Sequence, residues 1–192
     1  MKKLEKEYEI RLKQMILNNH YLLNLLRHLS KIYENAYLSA GVIRNWIWSI
    51  HHHQDYTFEG TEIDVIFYDV DEKNTEISNA IINQIIQDYP HHIWDVTNQA
   101  TVHHWYKKEN GDYIEPLTSI DHALSLWPET ATAVAIRLLE NNDLEIIAPF
   151  GLEDLFELKL RWNDALVSRE VFLERITTKQ FLKRWNKLKL IS

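Results

Sequence analysis

The sequence predicts an α/β (α+β) fold, a mixed β-sheet flanked by helices, and three observations carry that prediction. An apolar stripe of helical period, Leu12, Ile16, Leu22, Leu23, Leu26 and Leu29, runs through roughly residues 5–33. The segment Glu62–Tyr68 alternates acidic and apolar side chains with the period of a strand. Two β-like runs, Thr132–Leu139 and Leu144–Ile147, flank Asn141-Asn-Asp143 and read as a hairpin.

The remaining elements follow in chain order. Ala36–Gly41 is a short β-like run that ends in a glycine, and Val42–Ile50 reads as a helix rich in Ile and Trp. His51–Thr61 is polar and reads as a loop. After the acidic strand comes a turn through Asp69, Asp71 and Asn74, then an amphipathic helix with Ile77, Ile81, Ile82, Ile85 and Ile86 on one side, stopped by Pro90. Ile93–Val96 and Thr101–Tyr106 are strand candidates, and Glu109-Asn-Gly-Asp112 is a turn. Ser119 suits the N-cap of a short helix ending before Pro128. From Gly151 to about residue 188 the chain reads as mainly helical, with stretches near Leu152–Leu160 and Glu170–Trp185 packing on the sheet. Residues 1–192 are expected to form one domain, since four Gly and four Pro leave little material for a linker.

Composition narrows the chemistry. The absence of Cys excludes disulfides, zinc–thiolate sites and cysteine nucleophiles. A formal net charge of −7 makes an extended nucleic-acid partner the least favoured. The basic group Lys179, Lys183, Arg184, Lys187 and Lys189 offers a local basic patch, but the favoured reading is a solvated helix end, where cations suit the helix dipole. The N-terminus runs into Glu rather than an apolar stretch, and no long apolar window is present, so a cytoplasmic protein with no signal peptide and no membrane span is expected.

The informative segment is Thr61-Glu-Ile-Asp-Val-Ile-Phe-Tyr-Asp69. Alternation places Glu62 and Asp64 on one face of the strand and Ile63, Val65 and Phe67 on the other. Two carboxylates so placed repel unless a cation or proton sits between them, and a hard divalent cation such as Mg²⁺ (or Mn²⁺) takes a few carboxylate oxygens beside water and phosphate. The plain alternative is an edge strand with one solvated acidic face. Upstream, Ser39-Ala-Gly-Val-Ile-Arg-Asn45 puts Gly41 at a strand-to-helix turn, where backbone N–H groups can hold phosphate, with Arg44 and Asn45 one turn on. Arg44 could add a fork of donors. Downstream, Asp95 offers a third carboxylate, which shares the acidic face if Trp94 and Val96 face the core. Three carboxylates beside a glycine turn suit phosphoryl or nucleotidyl transfer.

His51-His-His53, His91-His92 and His103-His104 chelate one ion poorly as sequence neighbours and read as polar loops, although His103 could approach Asp95. Trp127-Pro-Glu-Thr130 reads as a structural turn with Trp127 buried; a base-stacking Trp127 and a cleft-facing Glu129 are the alternatives.

In order, Ala40-Gly-x-x-Arg-Asn45, x-x-Ile63-Asp-Val-x-x-x-Asp69 and Trp94-Asp-Val-x-Asn-Gln-Ala100 resemble a bacterial family of nucleotidyltransferase-like proteins in the DNA polymerase β nucleotidyltransferase superfamily. Trp127–Val134 and Ala148–Phe156 extend the resemblance, which spans about residues 20–185. It implies a nucleotidyltransferase-like fold, with an NTP as substrate and a divalent metal. Gly41 and Arg44 would lie on the phosphate side, Glu62 and Asp64 would be paired metal ligands, and Asp95 would be the third ligand or the base. The acceptor could be a small molecule, a protein or an RNA end. The chain departs from the superfamily pattern at Val42, where Gly or Ser is usual, in the longer spacer from Gly41 to Glu62, and at Glu62, where Asp is usual. Val42 and Glu62 favour an alternative, a catalytically inactive nucleotide-sensing or protein-binding module of the same fold.

Overall fold

A computed structural model of the chain describes residues 2–191. The predicted helix over 5–33 is two helices, α1 (Lys2–Leu17) and α2 (His20–Ile32). Asn19 between them takes an extended conformation, and its side-chain oxygen accepts from the Leu22 N–H at 3.0 Å, so it caps α2 instead of continuing α1. The apolar stripe survives the break because both helices pack on the same core. β1 (Tyr37–Ser39) leads into α3 (Gly41–His51), and β2 (Glu62–Phe67) is followed by α4 (Glu76–Asp88) and β3 (Ile93–Asn98).

Residues 101–106 are no strand. Gln99–His104 forms a 3₁₀ helix, nucleated when Asn98 turns its side-chain oxygen onto the Ala100 N–H at 3.0 Å. α5 (Ile120–Ser125) is capped by Ser119 as expected, and β4 (Ala135–Leu138) and β5 (Leu144–Ile147) form the expected hairpin, with Asn142 at φ 62°.

The C-terminal region departs furthest from its helical reading. α6 (Glu153–Phe156) is a single turn, and Leu158 at φ 58° diverts the chain into β6 (Lys159–Arg161). α7 (Arg169–Thr178) ends where Gln180 takes φ 52°, and after α8 (Phe181–Arg184) the chain finishes in β7 (Lys189–Ile191), parallel to β6. Apolar residues at helical spacing cannot reveal a left-handed residue in their midst, because Leu and Gln carry no sign of it.

The main sheet has the order β3-β2-β1-β4-β5. Only β2 and β3 are parallel, joined by α4 as a crossover; the other pairs are antiparallel. One face carries Leu38, Ile63, Val65, Phe67 and Ile136 into the large core, with side chains of α1 to α4, α7 and α8. The opposite face carries Tyr37, Ile66 and Ala135 against α5 and Trp127. Asp64 lies on this second face, at the end of β2 that neighbours the start of α3.

Candidate active site

Parallel pairing sets Asp64 beside Asp95, and Val65 beside Val96. In a parallel ladder neighbours in register point the same way, so the two carboxylates share a face; Ile63, Val65 and Val96 are buried on the other. Glu62 projects from the same face two residues earlier and is exposed. Its carboxylate lies 3.7 Å from Lys179 Nζ, while Asp95 accepts from Thr97 Oγ1 at 2.8 Å. Burial pushes the Asp64 carboxyl above its ordinary range, and the charges of Glu62 and Asp95 push it further, against a hydrogen bond from the Gly41 backbone and the charge of Arg44.

The start of α3 opens on a cavity of about 370 Å³ lined by Gly41, Arg44, Asn45, Glu62 and Asp64 on one side and Arg175, Lys179 and Arg184 on the other. The Gly41 N–H reaches the Asp64 carboxylate, and the N–H groups that follow it in the first turn have no cap from Ala40 and can meet a ligand. A Cβ on Gly41 would lie 3.7 Å from Asp64 Oδ2 and 3.8 Å from Asn45 Nδ2. Glycine is therefore not demanded by the backbone there; it keeps the cavity floor clear. The strain sits one residue earlier: Ala40 adopts φ 56°, ψ −121°, a conformation suited to glycine.

Arg44 differs from its expected role as an open phosphate fork. It is 5% exposed, lies over the rings of Trp48 and Phe181, and donates to Thr132 Oγ1 at 2.8 Å and twice to Asn45 Oδ1. Three of its five N–H donors are thus engaged, and at most two remain for a ligand. Burial pushes its pKa down to about 10, which leaves it cationic at neutral pH.

The other cations at the cavity come from the C-terminal region. Lys179 and Arg184 belong to the basic group read as a solvated helix end, yet both line the cavity with Arg175. Arg175 is held by Glu129, which is fully buried and bonds its Nε through one carboxylate oxygen. Glu129 therefore supports the wall from behind and does not face an open cleft. The advance signal was the candidate basic patch around Lys179 and Arg184; Arg175 lay outside it, and only the fold shows which of these cations meet.

The carboxylates suit a divalent cation by donor type, since Mg²⁺ commonly takes one or two carboxylates and completes its shell with water and phosphate. Among the described residues, no three His, Asp or Glu side chains stand ready to close together on one ion. Asp64 with one neighbour, Glu62 or Asp95, is the set that fits.

The histidine pairs serve packing. His52 accepts the Lys187 N–H at 2.9 Å, His92 bonds Tyr21, and the rings of His103 and His104 lie 3.8 Å apart on the 3₁₀ helix, not on a strand. Trp127 is only partly buried and lines a second, apolar hollow beside Asp64 and Asp95.

A mixed sheet whose acidic strand runs beside a glycine-started helix is the nucleotidyltransferase fold. Residues 30–190 match the nucleotidyltransferase family, and the chain belongs to it. Among solved structures, an NMR structure described as revealing a CCA-adding enzyme head domain is similar over 94% of both chains, at 26% identity and a TM-score of 0.78. A Thermotoga maritima CCA-adding enzyme complexed with tRNA aligns with 94% of this chain and 42% of its own, at 16% identity and a TM-score of 0.56. A CCA-adding enzyme in complex with CTP aligns with 95% of this chain and 43% of its own, again at 16% identity and 0.56. The chain spans less than half the length of these last two, which share its fold. No curated protein matches the chain. Among the described residues no helix is long and apolar enough to cross a membrane.

Proposed function

We propose that this chain transfers a nucleotidyl group from an NTP to an acceptor hydroxyl with the aid of Mg²⁺ or Mn²⁺. The observation that carries the reading is the position of Asp64, partly buried between the cation-lined cavity at the start of α3 and the Asp95 carboxylate. The triphosphate lies in that cavity, its oxygens taken by the first N–H groups of α3, by Arg175, Lys179 and Arg184, and by Asn45 Nδ2. Asp64 with Glu62 or Asp95 would hold the metal, which when bound neutralises phosphate charge and polarises the α-phosphate. Asp95 accepts the proton of the acceptor hydroxyl as its oxygen attacks the α-phosphorus. The bond from that phosphorus to the bridging oxygen of the β-phosphate breaks, and pyrophosphate leaves. Positioning and charge neutralisation supply most of the acceleration in such transfers.

Wild-type protein is expected to gain thermal stability with a Mg²⁺–NTP, since a ligand that binds only the folded state stabilises it. Pyrophosphate release with a competent acceptor should fall at least about 100-fold in Asp64→Asn, because misplaced catalytic metal geometry costs that much. NTP binding untouched by both Asp64→Asn and Asp95→Asn would remove the metal site from the reading. The alternative of a nucleotide-sensing module draws support from Glu62, which leans toward Lys179. NTP binding with no pyrophosphate release across a broad acceptor screen would favour it.

A further inference from the structure

Asp64 lines two cavities of opposite character. The first holds the four cations Arg44, Arg175, Lys179 and Arg184. The second, about 210 Å³, opens on the Asp95 side, and its walls include Val102, Leu117, Ala123, Trp105, Tyr106 and Trp127. Among the described residues no Lys, Arg or His lines it; its lining residues with polar side-chain groups are Asp64, Asp95, Thr97, Gln99, Trp105, Tyr106 and Trp127.

We propose that this second chamber receives the acceptor, and that the acceptor presents an uncharged, ring-sized apolar group bearing a hydroxyl, of which a phenol or benzylic alcohol is the simplest form. The proposal rests on the nucleotidyl-transfer reading above and names its acceptor class. Size supports it, because an apolar cavity of about 150 Å³ holds benzene, so this one has room for one substituted ring. Charge supports it too. A triphosphate belongs with the cations, whereas the wall of the second chamber beyond the carboxylates offers no Lys, Arg or His to offset the charge of a phosphodiester lying along it. Asp64 and Asp95 then receive the hydroxyl while the ring lies against the apolar wall, an arrangement typical of small-molecule sites. The groups that choose the acceptor are therefore Val102, Leu117, Ala123 and the three aromatic residues. None of them is needed for the phosphates.

The test uses full-length protein, 4-methylphenol and benzyl alcohol as ring probes, each of the four NTPs with Mg²⁺, and an RNA hairpin with a single-stranded 3′ end. Ligand-detected NMR should show the ring probes bound, and bound still when a non-hydrolysable Mg²⁺–NTP is present. Ala123→Leu, which fills the chamber, should weaken ring binding at least about tenfold, in keeping with the selectivity of apolar pockets for single methylenes. Its Mg²⁺–NTP affinity should be unchanged. Label from an α-³²P NTP should pass to a ring alcohol and not to the hairpin. Competition between ring probe and NTP would make the chamber a nucleobase site and overturn the proposal, and so would label on the RNA. A protein that binds Mg²⁺–NTP but no ring probe overturns the acceptor assignment alone. One that binds rings but no NTP overturns the transfer reading itself, and the assignment with it. The competition arm needs only wild-type protein, so a variant that fails to fold does not protect the idea.

Discussion

Ala40 stands where the backbone asks for glycine, one residue before the helix whose first turn faces the cavity. A non-glycine residue held at such angles costs on the order of 1–3 kcal/mol. Ala40→Gly should therefore raise the urea midpoint at an unchanged m-value, reporting a gain of roughly 1 kcal/mol in unfolding free energy after glycine's extra unfolded-state freedom is deducted. An unchanged or lower midpoint would show that neighbouring groups have already relieved the strain. Gly41 is the converse case: its backbone would accept a side chain, but Gly41→Ala sets a methyl on the cavity floor near Asp64. Such a variant should fold normally and bind Mg²⁺–NTP more weakly, by titration calorimetry. The acidic pair was legible in the sequence because strand alternation places Glu62 and Asp64 together without further information. The placement of Arg44 was not, since its partners Thr132 and Phe181 lie far along the chain.

At the scale of elements, three strands are tied across one edge of the sheet by side chains that lie far apart in sequence. Arg137 on β4 is paired in register with Glu145 on β5, and Tyr37 on β1 donates to the same carboxylate oxygen at 2.6 Å. Burial pushes the Glu145 carboxyl up, but the hydrogen bonds from Tyr37 and Arg137 outweigh it and hold the carboxyl below its ordinary value of 4.5. A depressed folded-state value means that the stabilisation is present above pH 4.5 and drains away as pH falls through the lower folded value. Glu145→Gln should thus be less stable than wild type at neutral pH, with the gap closing in acid; urea melts at a series of pH values measure it. A gap that stays constant would sink the assignment.

The same scale shows where sequence reading stops. The β4–β5 hairpin and α4 were legible because turn residues and periodicity both act locally. The division of the first helix at Asn19, and the left-handed residues Leu158 and Gln180, were not. Asn19 caps α2 through its own side chain, but an Asn inside an unbroken apolar stripe does not by itself announce a helix end, and Leu and Gln carry no mark of a left-handed conformation.

Across the whole molecule, the C-terminal segment closes the cation-lined cavity. Trp185 is 1% exposed, packs edge-on against Trp48 at 5.3 Å, and carries the Arg184 guanidinium over its ring at 4.2 Å. Trp185→Ala should cost about 3–5 kcal/mol, as expected for deleting a large buried aromatic side chain. It should also weaken NTP binding, since Arg184 loses its support. Lost stability with unaltered nucleotide affinity would separate the two roles. The acidic strand could be recognised from eight or nine residues. The cations opposite it could not, because only the complete fold brings residues 175–184 back across the start of α3.

The apolar chamber has one more consequence. Val102, Ile114, Leu117 and Ala123 form a small cluster of their own, apart from the large core. Substitutions in separate clusters tend to combine additively, so the cost of changing this wall does not compound with changes in the large core. If the chamber takes the acceptor proposed above, exchanging these few side chains would change the guest while the β2–β3 ladder and its carboxylates stay fixed. Recognition here is free to drift where chemistry is not.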